Sequence, residues 1–157
     1  MTRPFVSKPM PVEEQWLDFN GHLNMAYYNV LFDRGVDQLG AFLGFGPDYR
    51  TRTGNTTFSA EFHLCYLREL HLGDMVTVTF QLLDHDANSF HFYQELIHSD
   101  GWVSATGEGV GLHIDQSGPR VAPMPNEILT KFASMAETHR ALPRPARVGR
   151  VMGIRHK

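Results

Sequence analysis

One cysteine in 157 residues, Cys65, excludes a disulfide within the chain and fits a reducing compartment. No apolar run approaches the roughly 20 residues that a membrane-spanning helix needs. The opening Met1-Thr2-Arg3-Pro4-Phe5 also lacks the apolar core of a secretory signal. A cytoplasmic protein without a membrane partner is therefore expected. The formal net charge is only −3, so no global field favours nucleic acid. Internal repeats and low-complexity blocks are absent. So are Gly-x-Ser-x-Gly, His-Glu-x-x-His and any glycine loop opening a helix; Gly107-Glu-Gly-Val-Gly lies within a strand pattern. Histidine is not scarce, but His63, His71, His85, His91, His98, His113, His139 and His156 fall singly, so no metal is expected.

What is present is a helix with an unusual entrance. Asp18-Phe19-Asn20-Gly21-His22-Leu23-Asn24 places a carboxylate, a glycine turn and a capping residue before a proline-free stretch, Asn24 to Leu43, that Gly44 closes. Such a helix would be about 30 Å long. Met25, Ala26, Tyr27, Tyr28, Val30, Leu31, Phe32, Val36, Leu39, Phe42 and Leu43 cover most of its circumference, which predicts a helix wrapped on nearly all sides. Asn29, Asp33 and Asp37, at i, i+4 and i+8, form its one polar stripe.

Downstream the period changes to two. Phe58, Ala60, Phe62, Leu64 and Tyr66 alternate with polar residues. Val76, Val78, Phe80 and Leu82 mark a second strand, and Phe90, Phe92 and Leu96 a third after a turn at Asp84 to Asn88. Asp100-Gly101 is a hairpin signal into a last strand, Val103 to Asp115. The small residues Ala105, Gly107, Gly109 and Gly111 on one face of that strand predict close approach of another backbone, that of the central helix. Gly44 to Asn55 reads as loop, and Asn126 to Leu142 as an amphipathic helix that Pro143 and Pro145 end. Any strand between Pro4 and Trp16 must be short or at an edge. Short turns between the strands exclude a parallel doubly wound sheet. An α+β single domain over residues 1–157 follows: an antiparallel sheet curled around one long helix, the hotdog architecture, with a C-terminal helix and a basic tail over about residues 140–157.

Asp18-x-x-Gly21-His22-x-Asn24 running into Tyr27-Tyr28, with Tyr66-Leu67-Arg68 and Gly73-Asp74 downstream, resembles the 4-hydroxybenzoyl-CoA thioesterase family of hotdog enzymes. Within that family the chain is most similar to the small betainyl-CoA thioesterases of carnitine catabolism. The resemblance implies hydrolysis of a small acyl-CoA, with Asp18 as nucleophile or general base and the Met25 amide as oxyanion donor. It implies no cofactor beyond the CoA of the substrate, and a site built between subunits of a homodimer or homotetramer.

The chemistry supports the assignment independently. Thioester hydrolysis needs a nucleophile or a base for water, and donors aimed at the developing oxyanion. A helix N-terminus offers unpaired N–H groups and the positive end of a dipole. Asp18 is equally a natural helix-end acid or turn former, and the whole motif is what favours catalysis. His22 is read as orienting Asp18 or a water, or as a turn histidine. Asn24 is read as the helix N-cap before it is a substrate ligand, and Asn20 and Gly21 as turn residues beside the substrate. Trp16, Phe19 and Tyr28 are candidates to line an acyl pocket, where ring faces would attract a quaternary ammonium. Two other readings stay open: a non-catalytic acyl-CoA binding module, and a dehydratase or hydratase with His22 as base.

Overall fold

The computed structural model describes residues 3–157. Two short strands come first, β1 (Phe5–Val6) and β2 (Met10–Pro11), then 3₁₀ turns at Glu14–Trp16 and Met25–Tyr27. The chain continues as α1 (Tyr28–Leu43), α2 (Pro47–Thr53), β3 (Asn55–Tyr66), β4 (Met75–His85), β5 (Ser89–His98), β6 (Val103–Asp115), β7 (Arg120–Val121) and α3 (Asn126–His139). The sheet is antiparallel in the order β1-β4-β5-β6-β3, with β2 also on β4 and β7 on β6. The proline-rich start supplies only the two short edge pieces, as expected.

One face of the sheet carries the core. Val76, Val78, Phe80 and Leu82 of β4 are each at most 3% exposed, and they meet Leu31, Phe32 and Leu39 of α1. Each such side chain contributes about 1.5–3 kcal/mol of burial. The end of the sheet is closed by α3, whose Phe132 is 1% exposed and packs on Phe90. His139 Nδ1 accepts the Leu82 amide at 2.9 Å, and burial holds this imidazole below the usual histidine range. Among the described residues no helix is long and apolar enough to cross a membrane.

Five expectations are corrected. The long helix starts as a 3₁₀ turn, because the Asn24 side chain takes the Ala26 amide and Tyr27 N bonds Asn24 O. It is also not wrapped on all sides: the sheet covers one face, leaving Met25 66% and Phe42 68% exposed. The glycine row of β6 does not receive the helix. Gly107, Gly109 and Gly111 lie under the rings of Phe62, Phe92 and Phe90 from β3 and β5, and a Cβ at Gly109 would sit 2.5 Å from Phe92 Cζ. The close helix–sheet approach falls instead at Gly35, where a Cβ would lie 2.6 Å from Val78 Cβ. Finally, the stretch after Gly44 holds α2, with Pro47 in its first turn and Gly54 left-handed at its end. At the other end, α3 stops at His139, a turn short of Leu142.

Candidate active site

Residues 17–24 form a strapped turn. Leu17 and Leu23 pair across it, Asp18 N bonds His22 O at 2.8 Å, and Gly21 N bonds Asp18 O at 3.0 Å. Gly21 has φ +75°, the left-handed region in which a side chain would be strained. The Asp18 carboxylate sits inside this turn, its Oδ1 accepting Asn20 N at 2.8 Å and His22 N at 3.2 Å. Both bonds fall on Oδ1. The turn is tied down on either side: Asn24 N donates to Trp16 O, and Leu23 N donates to Leu70 O at 2.8 Å.

The chain then enters the 3₁₀ turn that leads α1. Capping uses the amides of Ala26 and Tyr27, so Met25 stands at N1, where an amide has no carbonyl a turn behind it. Tyr66 at the end of β3 fixes this corner, its hydroxyl donating to Met25 O at 3.0 Å. A carboxylate with one engaged oxygen and the head of a helix thus share one corner of the molecule. That arrangement can polarise a carbonyl from one side while a base acts from the other.

The other sequence candidates separate. Asn24 is a cap. Tyr28 is 4% exposed and edge-on to Tyr66 at 4.9 Å; burial raises its phenol above the usual range, against partial relief from Ser104 and Leu70. Trp16 is 4% exposed, stacked on Tyr27, with the Arg34 guanidinium 4.7 Å above its ring. One face of the ring therefore already holds a cation. Phe19 is 98% exposed at the turn tip, beside exposed Asn20. His22 faces His71 edge-on at 4.9 Å, and Glu69 joins them, a gathering that the single histidines of the sequence do not signal.

Sequence reasoning also passed over a cavity of about 680 Å³ between α1, α2 and the Thr56–Ser59 end of β3. One wall is the polar stripe Asn29, Asp33 and Asp37; Phe32, Phe58, Phe62 and Phe92 supply ring surface. Partial burial raises the Asp33 carboxyl above its usual range, and Asp37 pushes it the same way. Gln94 also lines the cavity; it is 1% exposed, and among the described residues neither its Nε2 nor its Oε1 has a hydrogen-bond partner. An unpaired buried amide group costs about 1–3 kcal/mol, so this cavity is built to take a polar occupant or water. Two signals were available: the stripe itself, and a glutamine at the inward position between Phe92 and Leu96.

The tail is seated as far as residue 150. Gln81 Nε2 donates to Pro143 O at 3.2 Å, and Gly149 N donates to Glu108 Oε2 at 2.8 Å. Burial would raise the Glu108 carboxyl, yet the Gly149 amide and His91 together hold it below the usual range.

The profile of the thioesterase-like superfamily matches residues 12–132. The chain is 38% identical over 155 residues to the betainyl-CoA thioesterase of Pseudomonas aeruginosa, covering 98% of each. It is 34% identical over 144 residues to the L-carnitine dehydrogenase/betainyl-CoA thioesterase of Rhizobium meliloti, matching 90% of this chain but 29% of that longer protein. A Staphylococcus aureus protein solved in complex with CoA superposes with a TM-score of 0.90 at 28% identity, over 98% of this chain and 96% of that one. With an antiparallel sheet laid against one central helix and these matches along nearly its whole length, the chain is a hotdog protein that belongs to the thioesterase-like superfamily.

Proposed function

We propose that this thioesterase hydrolyses betainyl-CoA to betaine and free CoA, with Asp18 as nucleophile or general base and the Met25 amide as oxyanion donor. The observation that carries the reading is the shared corner of Asp18 and the α1 N-terminus, in a chain 38% identical to a betainyl-CoA thioesterase. As base, Asp18 takes a proton from water as its oxygen bonds the carbonyl carbon. The oxyanion rests at the helix end, and collapse expels the CoA thiolate, which takes up the proton. CoA enters only as part of the substrate, and no metal or redox group has a part in these steps.

The acyl head is assigned to the cavity with Asp33, Asp37 and the phenylalanines. A quaternary ammonium cannot donate a hydrogen bond, so carboxylates and ring faces are the groups suited to it. Geometry then favours a site shared between two chains. The betainyl nitrogen lies two bonds, about 2.5 Å, from the carbonyl carbon. Asp33 is eight residues along the helix from Met25, about 12 Å. Phe58 and Tyr66, eight residues apart on β3, set the far end of the cavity about 25 Å from the turn. The Asp33–Phe58 end of a chain's cavity is thus out of reach of an acyl group held at its own Met25 amide.

β3 ends the strand order, so among the described residues its outer edge is unpaired. Antiparallel pairing of two such edges would bring the Phe58 end of one chain to the Tyr66 end of the other, and so the cavity of one to the Asp18 turn of the other. It would also cover Phe58, 46% exposed, and Tyr66, 45% exposed. We therefore assign a homodimer as the working unit, whether or not it pairs further into a tetramer.

The test is free-thiol release from a panel of acyl-CoAs read with a thiol-reactive dye. Betainyl-CoA should give the highest kcat/KM. No turnover of any acyl-CoA would instead favour a binding module.

A further inference from the structure

We propose that His22, Glu69 and His71 form a binding site for a divalent transition-metal ion, with zinc as the type. Their ligand atoms already lie within 4.8 Å of one another. The backbone sets this up: His22 and His71 pair as an antiparallel bridge. In the extended segment 69–71, Leu70 is wholly buried while its neighbours Glu69 and His71 stay exposed on the opposite side. Two imidazole nitrogens and one carboxylate oxygen select zinc, cobalt or nickel over magnesium and calcium, which favour all-oxygen shells.

Four-coordinate zinc holds its ligands at about 2.0–2.1 Å. The three side chains must therefore close in by an ångström or so, and the exposed Glu69 and His71 are free to swing. Behind His71 stands Asp74. Its Oδ2 lies 3.9 Å from His71 Nδ1 and accepts the His71 amide at 2.9 Å, while its Oδ1 is 3.4 Å from His98 Nε2. Drawn in to hydrogen-bond distance of the His71 ring, this carboxylate would fix which ring nitrogen faces the ion. The nearest cation in sequence, Arg68, is drawn away over the Trp102 ring at 4.0 Å. An ion held here would clip the Asp18 turn to the 69–74 segment. The proposal does not depend on what the protein hydrolyses.

The experiment titrates chelator-stripped full-length protein with Co²⁺, followed by the visible absorption of cobalt in a low-symmetry site, and then displaces it with Zn²⁺. One Co²⁺ per chain is expected, with Zn²⁺ raising the melting temperature. His71→Ala and Glu69→Gln, both at exposed positions, should each weaken binding at least about tenfold, and Asp74→Asn should weaken it by about 10–100-fold. Absence of a cobalt band at millimolar metal would overturn the proposal. So would binding that His71→Ala and Glu69→Gln leave unchanged, since the ion would then sit elsewhere.

Discussion

Asp33→Asn removes one charge from the cavity wall while leaving its shape intact. A carboxylate about 5 Å from a trimethylammonium, at an effective dielectric near 20, attracts it by about 3 kcal/mol, roughly 100-fold in affinity. Asp37 remains in the variant, and Asp33 is exposed to solvent that screens its charge. The expected loss in kcat/KM for betainyl-CoA is therefore about 10–100-fold. The uncharged isostere 3,3-dimethylbutanoyl-CoA should lose nothing, so the ratio of the two substrates is the readout. The ratio should also depend on pH in the wild type. Burial and Asp37 raise the Asp33 carboxyl, so the cation preference fades as pH falls through that raised pKa, whereas the Asn variant stays flat. Stability carries the opposite sign. The native state binds this proton more tightly than the unfolded chain does, so ionising Asp33 with rising pH lowers stability. The Asn variant should thus melt higher than wild type at neutral pH and lose that advantage in acid. Mixed dimers sharpen the test. With a shared site, an Asp18→Asn chain paired with an Asp33→Asn chain keeps one fully native site and so native selectivity. A substrate ratio unchanged by Asp33→Asn, or mixed dimers with only the variant's selectivity, would refute the assignment.

Gly35→Ala should lower stability by about 1–3 kcal/mol, because its Cβ would sit 2.6 Å from Val78 Cβ; thermal melting reads this as a drop of a few degrees. Gln94→Leu removes two unpaired buried polar atoms, so the unliganded protein should melt higher while KM for the acyl-CoA changes. Deletion after Leu142 removes the Gly149 amide from Glu108, so stability at neutral pH should fall. That loss should shrink as pH drops through the depressed Glu108 pKa. If the basic tail also holds CoA phosphates, the deletion raises KM, less so in high salt.

The sheet, the central helix and the C-terminal helix were legible because their periods are clean: Val76, Val78, Phe80 and Leu82 alternate onto one buried face as the period of two requires. Asn24 was legible as a cap because few residues take an amide two positions on. The glycine row was legible as a close approach, but not what approaches. Composition cannot tell a helix backbone from a phenylalanine ring crossing from the next strand. Wrapping of α1 was overstated because an apolar helix face does not say whether its cover comes from the same chain or another. The three-residue cluster at His22 was invisible since Glu69 and His71 are brought to it only by strand pairing. Asp33 was in plain view in the one polar stripe of an apolar helix, and Gln94 as a polar residue on the apolar face of its strand. Their meaning needed the cavity.

The most direct test of the account is the hydrolysis rate of Asp18→Asn measured beside its melting temperature. Asparagine can accept the same Asn20 and His22 amides and caps as well as aspartate, so the fold should change by at most about 1 kcal/mol. As nucleophile or base, Asp18 should be worth at least about 10²–10⁴ in kcat, with substrate binding retained. A folded Asp18→Asn protein that binds betainyl-CoA but barely turns it over is the predicted result. Near-wild-type hydrolysis by that same folded variant would contradict the mechanism.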